Sequence, residues 1–130
     1  MAAMIQTFLQ VGAGGALGAM ARFALGLGVV RLTGPNAPFP VAVLGANVIG
    51  SFAMGMLVVA LAEKGGAHLS PFLVTGLLGG FTTFSSFSLE AATLWERGAP
   101  ALAATYVALS VGLSLAGIAS GLVLGRGIFA

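Results

Sequence analysis

Hydrophobic residues run along this chain in four long blocks, at roughly 4–30, 39–62, 71–95 and 100–124, parted by three short polar stretches. The breaks read Arg31-Leu32-Thr33-Gly34-Pro35-Asn36, Glu63-Lys64-Gly65-Gly66-Ala67-His68 and Glu96-Arg97-Gly98. About 20 apolar residues in a helix cross the hydrocarbon of a bilayer, and each block is long enough. Ser70-Pro71 and Gly98-Ala99-Pro100 place proline near a first helical turn, where its missing N–H costs little. The period-2 alternation of a membrane strand is absent, which argues against a β-barrel. The pattern predicts an all-α integral membrane protein, a single domain of four transmembrane helices whose short connections make neighbours antiparallel.

Composition supports the same class. Of 130 residues, 58% are hydrophobic and 6% charged, whereas about a quarter of a soluble domain is charged. Such a surface must face lipid. The chain has no cysteine, so a disulfide framework and a thiolate metal site are excluded, and its one histidine, His68, cannot build an imidazole cluster. A formal charge of +2 is too small and scattered for a nucleic-acid footprint. Met1-Ala2-Ala3-Met4 shows neither a positive leader nor a cleavage site, so no removable signal peptide is expected.

An even number of spans puts both termini on one side, and flanking Lys and Arg decide which side that is. Lys64 and Arg126 lie on the terminal side; Arg31 and Arg97 lie on the other. The tie fits insertion in both orientations, and equally a weak bias that selects one with help from the N-terminal amine. Glycine is abundant, 21 of 130, and recurs four apart: Gly14 and Gly18; Gly76 and Gly80; Gly117, Gly121 and Gly125. Small residues at that spacing let membrane helices approach closely. Helices packed so tightly leave no wide lumen inside one subunit, so any conducting path is narrow or lies at a subunit interface.

Polar groups inside a membrane span are costly and point to function. The third block holds the densest set, Gly79-Gly80-Phe81-Thr82-Thr83-Phe84-Ser85-Ser86-Phe87-Ser88, with Glu90 following. Two glycines and two threonines near its middle are where a helix could break and free backbone groups to hold an ion. The other reading is that the glycines only permit close packing and the hydroxyls bond back to their own helix. Phe84 and Phe87 share a helix face, as do Thr83 and Ser86. An aromatic pair of this kind is ordinarily core or lipid contact. In the fourth block Tyr106, Ser110 and Ser114 make a hydroxyl stripe about 12 Å long at the standard helical rise. Asn47, with Ser51 and Gly55 on its face, needs partners from another helix or a passing ligand. Arg22 lies deep in the first block but within reach of an interface by snorkelling. No carboxylate stands at mid-membrane, which argues against a proton-coupled pump, and no catalytic constellation is present, so an enzyme is not expected.

The run from Thr75 to Ser88 closely resembles the signature of the Fluc (CrcB) fluoride channels. Gly14-Gly15-Ala16-Leu17-Gly18-Ala19-Met20-Ala21-Arg22-Phe23 is similar to that family's first-helix pattern, and Asn47 with Gly50-Ser51-Phe52 to its second. The resemblance covers the whole chain in length and span number. It implies a dual-topology, antiparallel homodimer in the inner (plasma) membrane, passively exporting fluoride through two narrow paths. It further implies that Phe84 and Phe87 form an aromatic box and that Asn47 donates to the anion. Thr83, Ser86, Tyr106, Ser110 and Ser114 would line a polar track, with Arg22 and Glu90 at the vestibules. Backbone carbonyls of Gly79 and Thr82 from both subunits would hold a structural sodium ion. Two departures stand out: Ala42-Val43-Leu44 replaces the family's Gly-Thr-Leu, and Arg22-Phe23 its Arg-Tyr. They bear on the packing of the second helix and leave the path residues in place.

Two rival functions remain in view. A small proton-coupled multidrug exporter needs a carboxylate in its first helix, and the only acids here are Glu63, Glu90 and Glu96. A non-transporting subunit of a membrane complex would explain the glycines but neither polar stripe.

Overall fold

The computed structural model describes residues 1–130 and is entirely helical. Helix α1 spans Ala2–Thr33 and α2 spans Val41–Glu63. After a single 3-10 turn at Ala67–Leu69, a π-helical segment, Pro71–Leu78, passes directly into one α-helical turn, Gly79–Phe81; together these two pieces are α3. Helix α4 covers Phe84–Glu96 and α5 covers Pro100–Phe129. Four stretches, Ala2–Thr33, Val41–Glu63, Ala67–Glu96 and Pro100–Phe129, are long and apolar enough to cross a membrane.

The helices depart from the hydropathy blocks at several ends, α5 most, since it runs on past Leu124 to Phe129; two departures have local reasons. Arg31, Leu32 and Thr33 still belong to α1, because extending a formed helix costs little. The Thr33 hydroxyl then donates to the Val29 carbonyl at 2.8 Å, and Gly34, at φ 83°, turns the chain out in the left-handed region that glycine tolerates. Helix α2 starts at Val41 and not at Phe39, since Pro38 and Pro40 lack the N–H groups a helix needs and restrict the residue before them.

Helix α1 packs along α3 and α2 packs along α5; α4 leans on α5, and α1 touches neither α4 nor α5. Glycine permits both main crossings. A methyl group on Gly76 would sit 2.8 Å from the Val11 carbonyl of α1, and one on Gly80 would sit 2.6 Å from the Gly15 carbonyl. On the second crossing, a methyl on Gly55 would meet the Ile118 carbonyl at 2.5 Å, and Gly121 presses on the Phe52 carbonyl. Lipid tails supply no hydrophobic drive between helices, so backbone approach of this kind carries the packing. The departures in the second helix do not disturb it: α2 is continuous through Ala42-Val43-Leu44, and Val43 and Leu44 pack on a cluster of Phe87, Leu94, Ala103 and Tyr106.

Only 16 of the 130 residues are buried, and the exposed ones include Phe8, Phe23, Phe84 and Trp95. A water-facing protein could not carry that surface; lipid or a second apolar subunit must cover it.

Candidate functional site

The third span is broken, but at the threonines and not at the glycines. Gly79 keeps helical angles, φ −63° and ψ −34°, while Thr82 (φ −86°, ψ 156°) and Thr83 (φ −154°, ψ 124°) are extended. The division follows from packing and sterics. Gly80 is held against α1, where only a residue without a side chain fits, and β-branched threonine accepts the extended conformation readily. The packing reading therefore holds for Gly80, the break falls at Thr82 and Thr83, and a methyl on Gly79 would meet only the Val74 carbonyl of its own segment at an ordinary 3.6 Å.

A break in a membrane span strands backbone groups that lipid cannot satisfy. Three side chains take them up. The Thr83 N–H donates to Asn47 Oδ1 at 2.7 Å, and Asn47 Nδ2 donates to the Thr83 carbonyl at 2.9 Å, so one amide clasps both backbone groups of one residue. Thr83 Oγ1 caps α4 by accepting from the Ser86 N–H at 3.2 Å. Arg22 Nε donates to the Gly80 carbonyl at 3.4 Å, so this arginine meets the break and does not simply reach for an interface.

These bonds decide which carbonyls remain available. In a continuous helix the Gly79 carbonyl would accept from the Thr83 N–H and the Thr82 carbonyl from the Ser86 N–H. Both donors go to side-chain oxygens instead. No group of carboxylates or imidazoles could hold a metal; backbone oxygens of this kind suit a hard cation.

On the far side of the break lies an open cleft of about 360 Å³ between α2, α4 and α5. It brings together Asn47, Thr82, Thr83, Phe84, Phe87, Ser110 and Ser114 from three different spans, with Gly50, Ser51 and Met54 as the α2 wall. The rings of Phe84 and Phe87 are 5.3 Å apart and tilted by 57°; Phe87 is buried, whereas Phe84 is 77% exposed. Ser86 is positioned by its capped N–H and does not line the cleft. Tyr106 lies behind Phe87, its ring 5.5 Å away, and donates to Glu90 Oε2 at 2.7 Å, so its proton is already engaged. Phe39 completes this aromatic row edge-on to Tyr106 at 5.6 Å. Its only signal in the sequence is the pair of flanking prolines, which hold it rigidly at the mouth of α2.

The hydroxyls of Ser110 and Ser114 are different from the others. Thr7, Thr33, Ser88, Thr93 and Thr105 all donate to the carbonyl four residues back. The hydroxyl oxygens of Ser110 and Ser114 are buried and complete no hydrogen bond of ordinary geometry, Ser110 having the Tyr106 hydroxyl one turn away as a neighbour and Ser114 none. An unmade hydrogen bond at a buried polar group costs about 1–3 kcal/mol. The two groups stand one turn apart and both line the cleft.

Comparison with known proteins points the same way. The family described as CrcB-like protein, Camphor Resistance (CrcB), matches residues 9–122. The fluoride-specific ion channel FluC of Ruegeria sp. (strain TM1040) is 57% identical over 125 residues, covering 96% of this chain and 98% of that protein. The protein of the same name from Cereibacter sphaeroides (strain ATCC 17029 / ATH 2.4.9) is 60% identical over 124 residues, 95% of this chain and 98% of its own. That of Paracoccus denitrificans (strain Pd 1222) is 55% identical over 127 residues, 98% of this chain and all 100% of its own.

Proposed function

Because this chain belongs to the CrcB family, we propose that it is a multi-pass channel of the inner membrane that passively releases fluoride from the cytoplasm. The observation that carries this reading is the pair of buried, unpartnered hydroxyls on Ser110 and Ser114. Fluoride is small and strongly hydrated, so it enters a narrow path only where donors replace its water. Serine hydroxyls and the second N–H of Asn47, which the clasp on Thr83 leaves free, supply such donors. Ring edges of Phe84 and Phe87 add partial positive charge. Weak donors let the ion leave again, as conduction requires. In this reading Thr83 continues the polar track, Ser86 and the Tyr106–Glu90 pair support it from behind the cleft, and Arg22 stands at the break and not at a vestibule. Efflux through such a path removes fluoride that enters cells as the neutral acid.

The functional unit in this proposal is an antiparallel homodimer. Its support is the open cleft, the exposed ring of Phe84, and the two-against-two balance of Lys64 and Arg126 with Arg31 and Arg97. A second copy closes the cleft and covers the ring. The Gly79 and Thr82 carbonyls of both copies hold one sodium ion, which supplies positive charge at the break and ties the two subunits together. Dual insertion is testable directly, since the chain has no native thiol. A cysteine introduced as Asn36→Cys in the first connection is expected to react with an impermeant maleimide from both faces of intact membranes. Labelling from one face only would exclude the antiparallel pair.

The function itself is tested by anion efflux from liposomes holding the purified protein. Fluoride-loaded vesicles are expected to empty rapidly without a coupling ion gradient, while chloride-loaded vesicles stay full. Vesicles that retain fluoride would return the phenylalanines and serines to a packing role.

A further inference from the structure

The clasp on Thr83 has the geometry of a switch between two competing backbone arrangements. Thr83 has one N–H, and that N–H has two possible acceptors: Asn47 Oδ1, which it uses at 2.7 Å, or the Gly79 carbonyl, which it would use in an unbroken helix. Its carbonyl is likewise taken by Asn47 Nδ2 at 2.9 Å, in place of the Phe87 N–H of a continuous helix. Without the amide, extended Thr83 would lose the partner of both groups, and resuming the helix is the local arrangement that satisfies them within the backbone. That remedy occupies the Gly79 carbonyl. It also moves Thr83 Oγ1 off the Ser86 N–H, returning that donor to the Thr82 carbonyl.

We infer that Asn47 is the positioning residue of the cation site: by clasping Thr83 it keeps the third span broken and so keeps the Gly79 and Thr82 carbonyls free for sodium. The inference rests on the proposed sodium site. Asn47 belongs to α2 and lies 36 residues from Thr83 in sequence, so the second span controls an ion held by the third. Asn47 also lines the cleft. One side chain therefore couples the fluoride path to the cation, with its Oδ1 and one N–H turned to the break and its second N–H left for the anion. Arg22 meets the neighbouring Gly80 carbonyl at 3.4 Å on the same break.

The test uses the full-length purified protein and a readout independent of transport. Thermal unfolding is followed in detergent as sodium replaces a large organic cation at constant ionic strength. Wild-type protein is expected to be stabilised by sodium in a saturable way. In Asn47→Leu, similar in size but unable to hydrogen-bond, the half-effect concentration is expected to rise at least about tenfold, the factor set by loss of roughly one net hydrogen bond. Asn47→Ser, too short to reach both groups, is expected to do the same and carries the comparison if the leucine variant does not fold. Asn47→Asp keeps an acceptor for the Thr83 N–H but sets a second oxygen against the Thr83 carbonyl in place of the donor, so a shift smaller than that of leucine is expected. Ser110→Ala should lose fluoride flux with an unchanged sodium curve. Leucine and serine variants that lose fluoride flux but keep the wild-type sodium curve would overturn the inference and leave Asn47 an anion donor only. Wild-type protein indifferent to sodium would instead remove the proposed cation site, and this inference with it.

Discussion

Phe87→Ile is expected to cut fluoride efflux by about 10- to 100-fold while the protein remains folded. Hydrogen bonds to a charged group contribute about 1.5–3 kcal/mol, and a ring edge facing a fluoride ion acts as such a donor. Each 1.36 kcal/mol is about a factor of ten in rate, which sets the range. Isoleucine fills much of the same volume and offers no electropositive edge. Phe87 is buried, 5.3 Å from Phe84 and 5.5 Å from Tyr106, so its edge direction is fixed by neighbours on both sides. The smaller side chain and the two lost ring pairs cost about 1–3 kcal/mol in stability, which the folded-protein control measures. Phe84→Ile should reduce flux similarly, with less effect on the isolated fold because that ring is largely exposed in the single chain. The measurement is the initial rate of fluoride efflux from liposomes, normalised to monodisperse protein by size-exclusion chromatography. Unchanged rates in both variants would show that the ring pair is packing and not path.

The second large effect is on the fold. Gly18→Val is expected to destabilise the protein by about 3 kcal/mol or more, at the top of the range for overpacking. The first carbon of the new side chain would collide with the Leu77 carbonyl and stand 2.8 Å from the Phe81 amide nitrogen. Neither neighbour is a flexible side chain, so α1 and α3 must separate. That would also move Arg22 and Gly80, joined at 3.4 Å one turn away, and so disturb the break. The matched control is Gly127→Val, whose added carbon meets nothing within 4 Å and which should not destabilise, since valine is a slightly better helix former than glycine. Thermal unfolding in detergent distinguishes the two; equal midpoints would mean that the α1–α3 crossing yields more easily than its backbone contacts allow.

Several features are legible in the sequence alone. The four spans follow from hydropathy, and the packing role of Gly14, Gly18, Gly76, Gly80 and Gly121 follows from their spacing, as the crossings bear out. For the third span the sequence leaves break and packing open, and the fold assigns each its own residues: Gly80 packs on α1, and Thr82 and Thr83 open. Other residues take on a different character once folded. Asn47 needs a helix or a ligand on sequence grounds, and it finds a helix for one of its N–H groups. Arg22 has the length to snorkel, yet its guanidinium answers a stranded carbonyl. Tyr106 shares a helical stripe with Ser110 and Ser114, but its proton is engaged by Glu90 while the serines have no partner.

The division has a physical origin. Inside a bilayer a helix must satisfy its backbone within its own segment, so the number of spans and their small-residue faces are written in local sequence. Hydropathy, glycine spacing and the balance of basic residues across the connections are of this kind. A break reverses that condition, because the groups it strands can be satisfied only by side chains that packing brings from elsewhere. Asn47 reaches Thr83 across 36 residues, Arg22 reaches Gly80 across 58, and Glu90 reaches Tyr106 across 16. No local periodicity encodes those meetings. Local pattern is enough to specify a four-span membrane protein with a polar, breakable third helix. Which carbonyls the break sets free, and which hydroxyls it leaves waiting, depends on how the spans pack.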